Sequence, residues 1–137
     1  MKQTITVQVT IDAPVNKVWK LYTTPEDIKQ WNNATEDWFT PRAENDLKAS
    51  GKFNFRMEAR DGSIGFDFWG IYDEVKPNEL IKYTIGDERK VKVTFTKEGN
   101  KTKVVVDFEA ENTNSIEMQK NGWQSILNNF KKYVESH

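Results

Sequence analysis

Residues 114–136 read NSIEMQKNGWQSILNNFKKYVES. Their spacing predicts one long helix, and such a helix decides the fold because it needs a matching apolar surface. Asn114 is placed to cap the amino end, and Glu117, three residues on, takes the reciprocal position of a capping box. Ile116, Trp123, Ile126, Leu127, Phe130, Tyr133 and Val134 recur at helical spacing. Lys120, Gln124, Asn128, Lys131 and Glu135 form a wet face between them. About 22 residues at ~1.5 Å each span roughly 33 Å, the width of a small domain. Gly122 interrupts the pattern, at about 1 kcal/mol relative to alanine. It is therefore expected where something lies close to the helix, either a packed element or a ligand.

The stretch before the helix supplies the partner surface. Phe53, Phe55 and Met57 share one face of a strand, and Asp61-Gly62 turns the chain. Phe66, Phe68, Gly70 and Tyr72 share one face of a long strand over Ile64 to Val75, and Lys76-Pro77-Asn78 turns it again. Ile81, Tyr83 and Ile85 follow, then Gly86-Asp87, then Val91, Val93 and Phe95. Glu98-Gly99-Asn100 leads to the last row, Thr102, Val104, Val106 and Phe108. Short turns between successive strands make an antiparallel sheet. Arg56, Glu58, Asp67, Asp107 and Glu109 alternate with the inward residues and are expected on the solvated face.

At the amino end, Ile5, Val7, Val9 and Ile11 alternate with polar residues as a half-buried strand. The start, Met1-Lys2-Gln3-Thr4, is expected to lead straight into that strand and not to be a leader. Asp12 is the expected cap of a first helix with Pro14 in its first turn and Val15, Val18, Trp19 and Tyr22 as its inner stripe. Pro25 opens a second short helix in which Ile28 and Trp31 share a face. Asn32 to Gly51 is the least regular stretch, with a short strand expected over Asp37 to Pro41 and a loop over Glu44 to Ser50.

The fold class that follows is α+β: an antiparallel sheet of about six to seven strands, two short helices after the first strand, and a long terminal helix across the sheet. Its 137 residues suit a single domain, 1–137. A formal net charge of -1 gives no support for nucleic-acid binding. With no cysteine and a single histidine, His137, there is no thiolate chemistry and no His-based triad or metal site. No cofactor is called for, no apolar run is long enough to span a membrane, and a cytoplasmic location is expected. The chain holds 5 Trp, 8 Phe and 4 Tyr, so the rings either fill a large core or line a cavity.

In order along the chain, Ile11-Asp12-Ala13-Pro14 with Val18-Trp19, Pro25-Glu26 with Trp31, and Gly51-Lys52-Phe53 with Asp61-Gly62 resemble the START-like (SRPBCC) superfamily, whose fold is the helix grip. Gly70-Ile71-Tyr72 with Val75-Lys76-Pro77, and Gly122-Trp123, continue the match. Within that superfamily the chain is similar to the carboxy-terminal domain of the heat-shock-protein-90 ATPase activator. It has Ser50-Gly51 where that family often has two glycines. The resemblance implies a helix-grip fold and a cavity, but no single activity, since relatives include lipid carriers, hormone receptors, polyketide cyclases and chaperone partners.

The expected site is a cavity lined by Trp31, Trp38, Phe53, Phe55, Met57, Phe66, Phe68 and Tyr83 on one side and Trp123 and Leu127 on the other. It would take a small hydrophobic, lipid- or polyketide-like molecule, with Lys120 and Asn121 as polar contacts at a rim. A second reading is a chaperone-interacting module acting through an outward Trp69. Cyclase-type chemistry would need an inward ionisable group, and Tyr72 and Tyr83, with Thr102 as a lesser case, are the only ones; no catalytic residue is assigned.

Overall fold

The computed structural model describes residues 3–137; Met1 and Lys2, with the expected lead-in to the first strand, lie outside the described residues. Strand β1 (Thr4–Ile11) buries Ile5, Val7 and Ile11 and leaves the threonines outside, as the alternation predicts. Helix α1 (Val15–Thr23) follows, but Asp12 does not cap it. Ala13 N–H donates to the Ile11 carbonyl at 2.9 Å, so the chain turns first and Pro14 becomes the N-cap. The Asp12 backbone N–H instead donates to Glu135 Oε2 at 2.8 Å, which ties β1 to the end of the terminal helix. Helix α2 (Pro25–Trp31) begins with its proline at the first position and buries Ile28 and Trp31. Trp31 Nε1 donates to the Leu21 carbonyl at 3.0 Å and fixes α2 against α1.

Strand β2 (Trp38–Asn45) is longer than its sequence suggests. Proline normally ends a strand, but β2 is the sheet edge, and its register shifts between Phe39 and Arg42. An edge position with a bulge tolerates the missing N–H of Pro41. The meander then runs β3 (Lys52–Ala59), β4 (Gly65–Lys76), β5 (Leu80–Ile85), β6 (Lys90–Glu98) and β7 (Lys101–Glu109). All neighbours are antiparallel, in the order β1-β7-β6-β5-β4-β3-β2. The sheet thus has seven strands, curled around the terminal helix in the expected α+β helix-grip arrangement. Gly51, before β3, is required by close approach: a Cβ there would stand 2.0 Å from the Asp46 carbonyl oxygen. Ser50 beside it takes a positive φ of 69°, a conformation that glycine adopts more readily.

Helix α3 (Ile116–Glu135) starts one residue later than its capping signature indicates. Glu111 Oε1 captures Asn114, accepting from its backbone N–H at 3.0 Å and its side-chain amide at 2.5 Å. Ser115 therefore caps the helix, its Oγ accepting from Met118 N–H at 3.1 Å, and Glu117 falls out of the capping-box position. Ile116 ends up exposed, while Gln119 turns inward and is 7% exposed. Leu127, Phe130 and Val134 are buried. A Cβ on Gly122 would meet nothing within 4 Å, so no element packs closely there. Gln124 Nε2 donates to the Gln8 carbonyl at 3.1 Å, laying α3 along β1.

Candidate functional site

Two kinds of wall meet beneath α3. On β1, β6 and β7 the inward side chains are short and mostly β-branched, and Ile11, Val93 and Val104 are sealed from solvent. On β3, β4 and β5 rings predominate, with Met57, Ile81 and Ile85 among them. Phe53 is the hub, with centroids of Phe55, Phe68, Tyr72 and Tyr83 at 5.0, 5.7, 5.3 and 4.9 Å. Trp123 of α3 stands at the boundary, stacked on Phe108 at 4.1 Å and set edge-on to Phe68 at 6.2 Å. Tilted rings do not pack as densely against a helix as branched aliphatic groups do. A cavity of about 310 Å³ remains over the aromatic half, bordered also by residues of α1, α2 and α3.

The structure brings Trp31, Phe53, Phe55, Met57, Phe66, Phe68, Tyr83, Trp123 and Leu127 together around this space. Trp38 does not join them. It lies at the far end of β2 opposite Ala59, with its ring 5.9 Å from that of Phe66, itself 46% exposed. Lys120 and Asn121 are exposed and outside the lining. Lining residues that the sequence did not assign to the cavity include Tyr22, Asn32, Tyr72, Arg89, Glu111, Gln119 and Ile126, of which Tyr72 was read as inward. Tyr22 and Ile126 carried a signal, since both lie on inward helix stripes. Arg89, Glu111 and Gln119 carried none: each is a polar residue in a turn, a connection or a helix start, placed by tertiary hydrogen bonds.

Those hydrogen bonds build the polar end of the cavity. Gln119 Oε1 accepts from Glu111 N–H at 2.9 Å, and its Nε2 donates to the Asn114 carbonyl at 2.9 Å, pinning the β7–α3 connection. Arg89 Nε pairs with Asp87 Oδ2 at 2.8 Å, and its Nη1 donates to the Glu109 carbonyl at 3.3 Å. Asn32 Nδ2 and Thr40 Oγ1 converge on Met57 Sδ at 3.1 and 3.4 Å, fixing that side chain in the wall. Thr102 is sealed from solvent with its hydroxyl donated to the Ala13 carbonyl at 2.9 Å, so it serves the β1–α1 turn.

Three tyrosines face the cavity. Tyr72 O–H donates to Asn45 Oδ1, and Asn45 Nδ2 donates to the Thr23 carbonyl at 2.7 Å, so the Tyr72 hydroxyl is held in place. Burial pushes the phenols of Tyr22, Tyr72 and Tyr83 well above the ordinary tyrosine value, and Tyr22 further disfavours ionisation of the other two. All three are therefore neutral O–H groups at physiological pH. Among the described residues no cluster of His, Cys, Asp or Glu could hold a metal ion, and no helix is long and apolar enough to cross a membrane. The walls offer apolar contact and a few fixed hydrogen-bonding groups, an arrangement suited to binding.

The model of the family described as "Activator of Hsp90 ATPase homolog 1-like protein" matches residues 12–135. The chain belongs to that family. The activator-homologue family lies in the SRPBCC superfamily, whose fold generally binds hydrophobic ligands. The solution structure of the AHSA1-like protein from Aeromonas hydrophila is 37% identical, with a TM-score of 0.92 over 98% of this chain and 93% of that one. The solution structure of Chr148 from Cytophaga hutchinsonii is 52% identical, with a TM-score of 0.85 over 97% of this chain and 92% of that one. Protein CV1439 from Chromobacterium violaceum, 21% identical over 97% of this chain and 98% of that one, shares the fold with a TM-score of 0.87. Among curated proteins there is no match.

Proposed function

We propose that this chain binds a small hydrophobic molecule in the space between β3–β5 and α3. The observation that carries the reading is the aromatic cavity itself, about 310 Å³ within a close-packed fold. That volume falls in the ~300–1,000 Å³ range of small-molecule sites. The lining residues would act as apolar contacts, with Phe68 and Trp123, set edge-on at 6.2 Å, closing one side of a slot for a flat or elongated ligand.

A thermal-shift screen against fatty acids, sterols, flavonoids and aromatic polyketides tests it. A ligand at ~100 times its Kd adds about 2.7 kcal/mol, which is several degrees for a domain of this size. Phe68→Arg should place a charge in the slot and remove the shift. A variant that keeps both its melting temperature and the ligand shift would show that the cavity is not the binding site.

The chaperone reading would rest on the outer face of β4. Trp69 is 39% exposed there, but its ring already lies against Gly86, and Lys52 Nζ sits 4.9 Å from its centroid. Capture of a chaperone that resists Phe68→Arg and fails after Trp69→Ala would favour that surface over the cavity.

A further inference from the structure

The cavity holds two hydroxyl donors with nothing to donate to. Tyr22 O–H and Tyr83 O–H find no acceptor among the described residues, although their rings are firmly placed. Tyr22 stacks on Trp31 at 5.1 Å and meets Phe130 edge-on at 5.0 Å. Tyr83 meets Phe53 at 4.9 Å and Tyr72 at 6.2 Å. Neither oxygen is sealed and orphaned in the packed core, where the one such side-chain atom is Asn54 Oδ1. Both residues line the cavity, and we infer that their hydroxyls open onto it. An apolar molecule filling the cavity would bury both hydroxyls without a partner, at a cost of about 1–3 kcal/mol, so this pair selects a molecule that brings an acceptor.

The charges nearby decide what kind of acceptor. Arg89 and Glu111 are the charged residues of the lining and cancel each other. The Arg89 guanidinium is already engaged by Asp87 and by the Glu109 carbonyl. The Arg89 charge does reach the Tyr83 hydroxyl, but as the least of the influences there, and with Asp87 and Glu111 beside it no net positive charge is left to offset the desolvation of an anion. Phenols held neutral by burial remain donors across the physiological pH range.

We propose that the ligand carries an uncharged carbonyl-type oxygen that accepts hydrogen bonds from Tyr22 and Tyr83. This deepens the binding function proposed above and rests on it. The ligand class is then an apolar, ring-sized ketone, quinone or lactone, distinguished from a pure hydrocarbon and from a fatty acid. Tyr72 is not part of the pair, because its O–H already donates to Asn45 Oδ1.

A matched set of probes separates the two layers of the argument: 9-fluorenone, fluorene, in which a methylene replaces the carbonyl, and fluorene-9-carboxylate. Affinities are measured by titration calorimetry on the wild-type chain and on Tyr22→Phe, Tyr83→Phe and the double variant, with circular dichroism as a check on folding. Fluorenone should bind about tenfold tighter than fluorene, and the carboxylate should bind more weakly than the ketone. Each Phe variant should shrink the ketone preference, and the double variant should abolish it while fluorene binding is kept. Equal affinities for ketone and hydrocarbon in the wild type would overturn the acceptor assignment and leave the hydrophobic cavity standing. Tighter binding of the carboxylate would overturn the choice of an uncharged oxygen. Failure of all three probes to bind would remove the cavity reading and the acceptor with it.

Discussion

The two halves of the sheet are built from different side chains, and only one of them closes. On β6 and β7, Val91, Val93, Phe95, Thr102, Val104, Val106 and Phe108 are all 4% exposed or less. On β3 and β4, Phe55 and Phe68 keep accessible surface under the same helix, and the cavity opens between them and Trp123. The grip of α3 is thus uneven. Its carboxy-terminal half, with Phe130 and Val134, seals into the core, while Trp123 and Leu127 form a roof over the space. On the proposed function, stability and binding then fall to different ends of one fold.

The sharpest test of that division is a pair of truncations. Phe108→Ala, in the sealed half, should cost about 3–5 kcal/mol, because it leaves a void under the stacked Trp123. Phe68→Ala, on the cavity wall, should cost about 1 kcal/mol, since the ring already borders empty space and its loss enlarges a gap instead of creating one. Equilibrium urea unfolding of both variants measures the difference. Equal costs would mean that the aromatic half is as tightly packed as the aliphatic one.

Alkaline pH should attack the same half. The chain has four tyrosines, three of which face the cavity with phenols raised by burial. The fourth, Tyr133, is pushed up to about 12 by desolvation and by its hydrogen bond to Asp27 Oδ1 at 2.5 Å. A folded-state value above the unfolded value of about 10 stabilises the fold below pH 10. That contribution is lost as pH rises from ~10 through the folded values. Each deeply buried tyrosine should remove up to about 1.4 kcal/mol per pH unit in that window. Tyrosinate absorbance should therefore rise together with the loss of circular dichroism, in one transition. A tyrosine ionising near pH 10 in a chain that is still folded would show that the aromatic half is open to bulk water.

The sequence showed the architecture because its signals were periodic. Alternation placed β1 and the inward rows of β3 to β7, and spacing at three and four placed the faces of α2 and α3. It missed where the chain is held by single tertiary contacts. Asn114 looks like a cap but is captured by Glu111, and Pro41 looks like a strand stop but sits on a bulged edge. The apolar residues around the cavity were legible for the same reason as the strands, and Trp38, from the irregular β2, is the one expected lining residue that lies apart from it. The polar lining was not, since Arg89 and Gln119 reach the cavity through turns and a helix start that carry no period. The two free hydroxyls were half legible: Tyr22 and Tyr83 read as inward, but only packing shows that Tyr72 is satisfied and they are not.

Gly122 carries the smallest expected effect and bears on the roof of the cavity. A mid-helix glycine costs about 1 kcal/mol through backbone entropy. The sequence suggested that close packing or a ligand demanded it, and close packing is excluded because a Cβ there meets nothing within 4 Å. Gly122→Ala should therefore raise stability by about 1 kcal/mol and the melting temperature by about 4 °C. Trp123 lines the cavity and Gly122 does not, so ligand affinity should be unchanged. Calorimetric melting with and without a bound probe reads both quantities from one sample. A stabilised variant that loses the probe would mean that the ligand extends past Trp123 and rests against the bare backbone at Gly122. The glycine would then be kept at the expense of helix stability, and the ligand's contact with α3 would include the bare backbone between Gln119 and Trp123, both of which line the cavity.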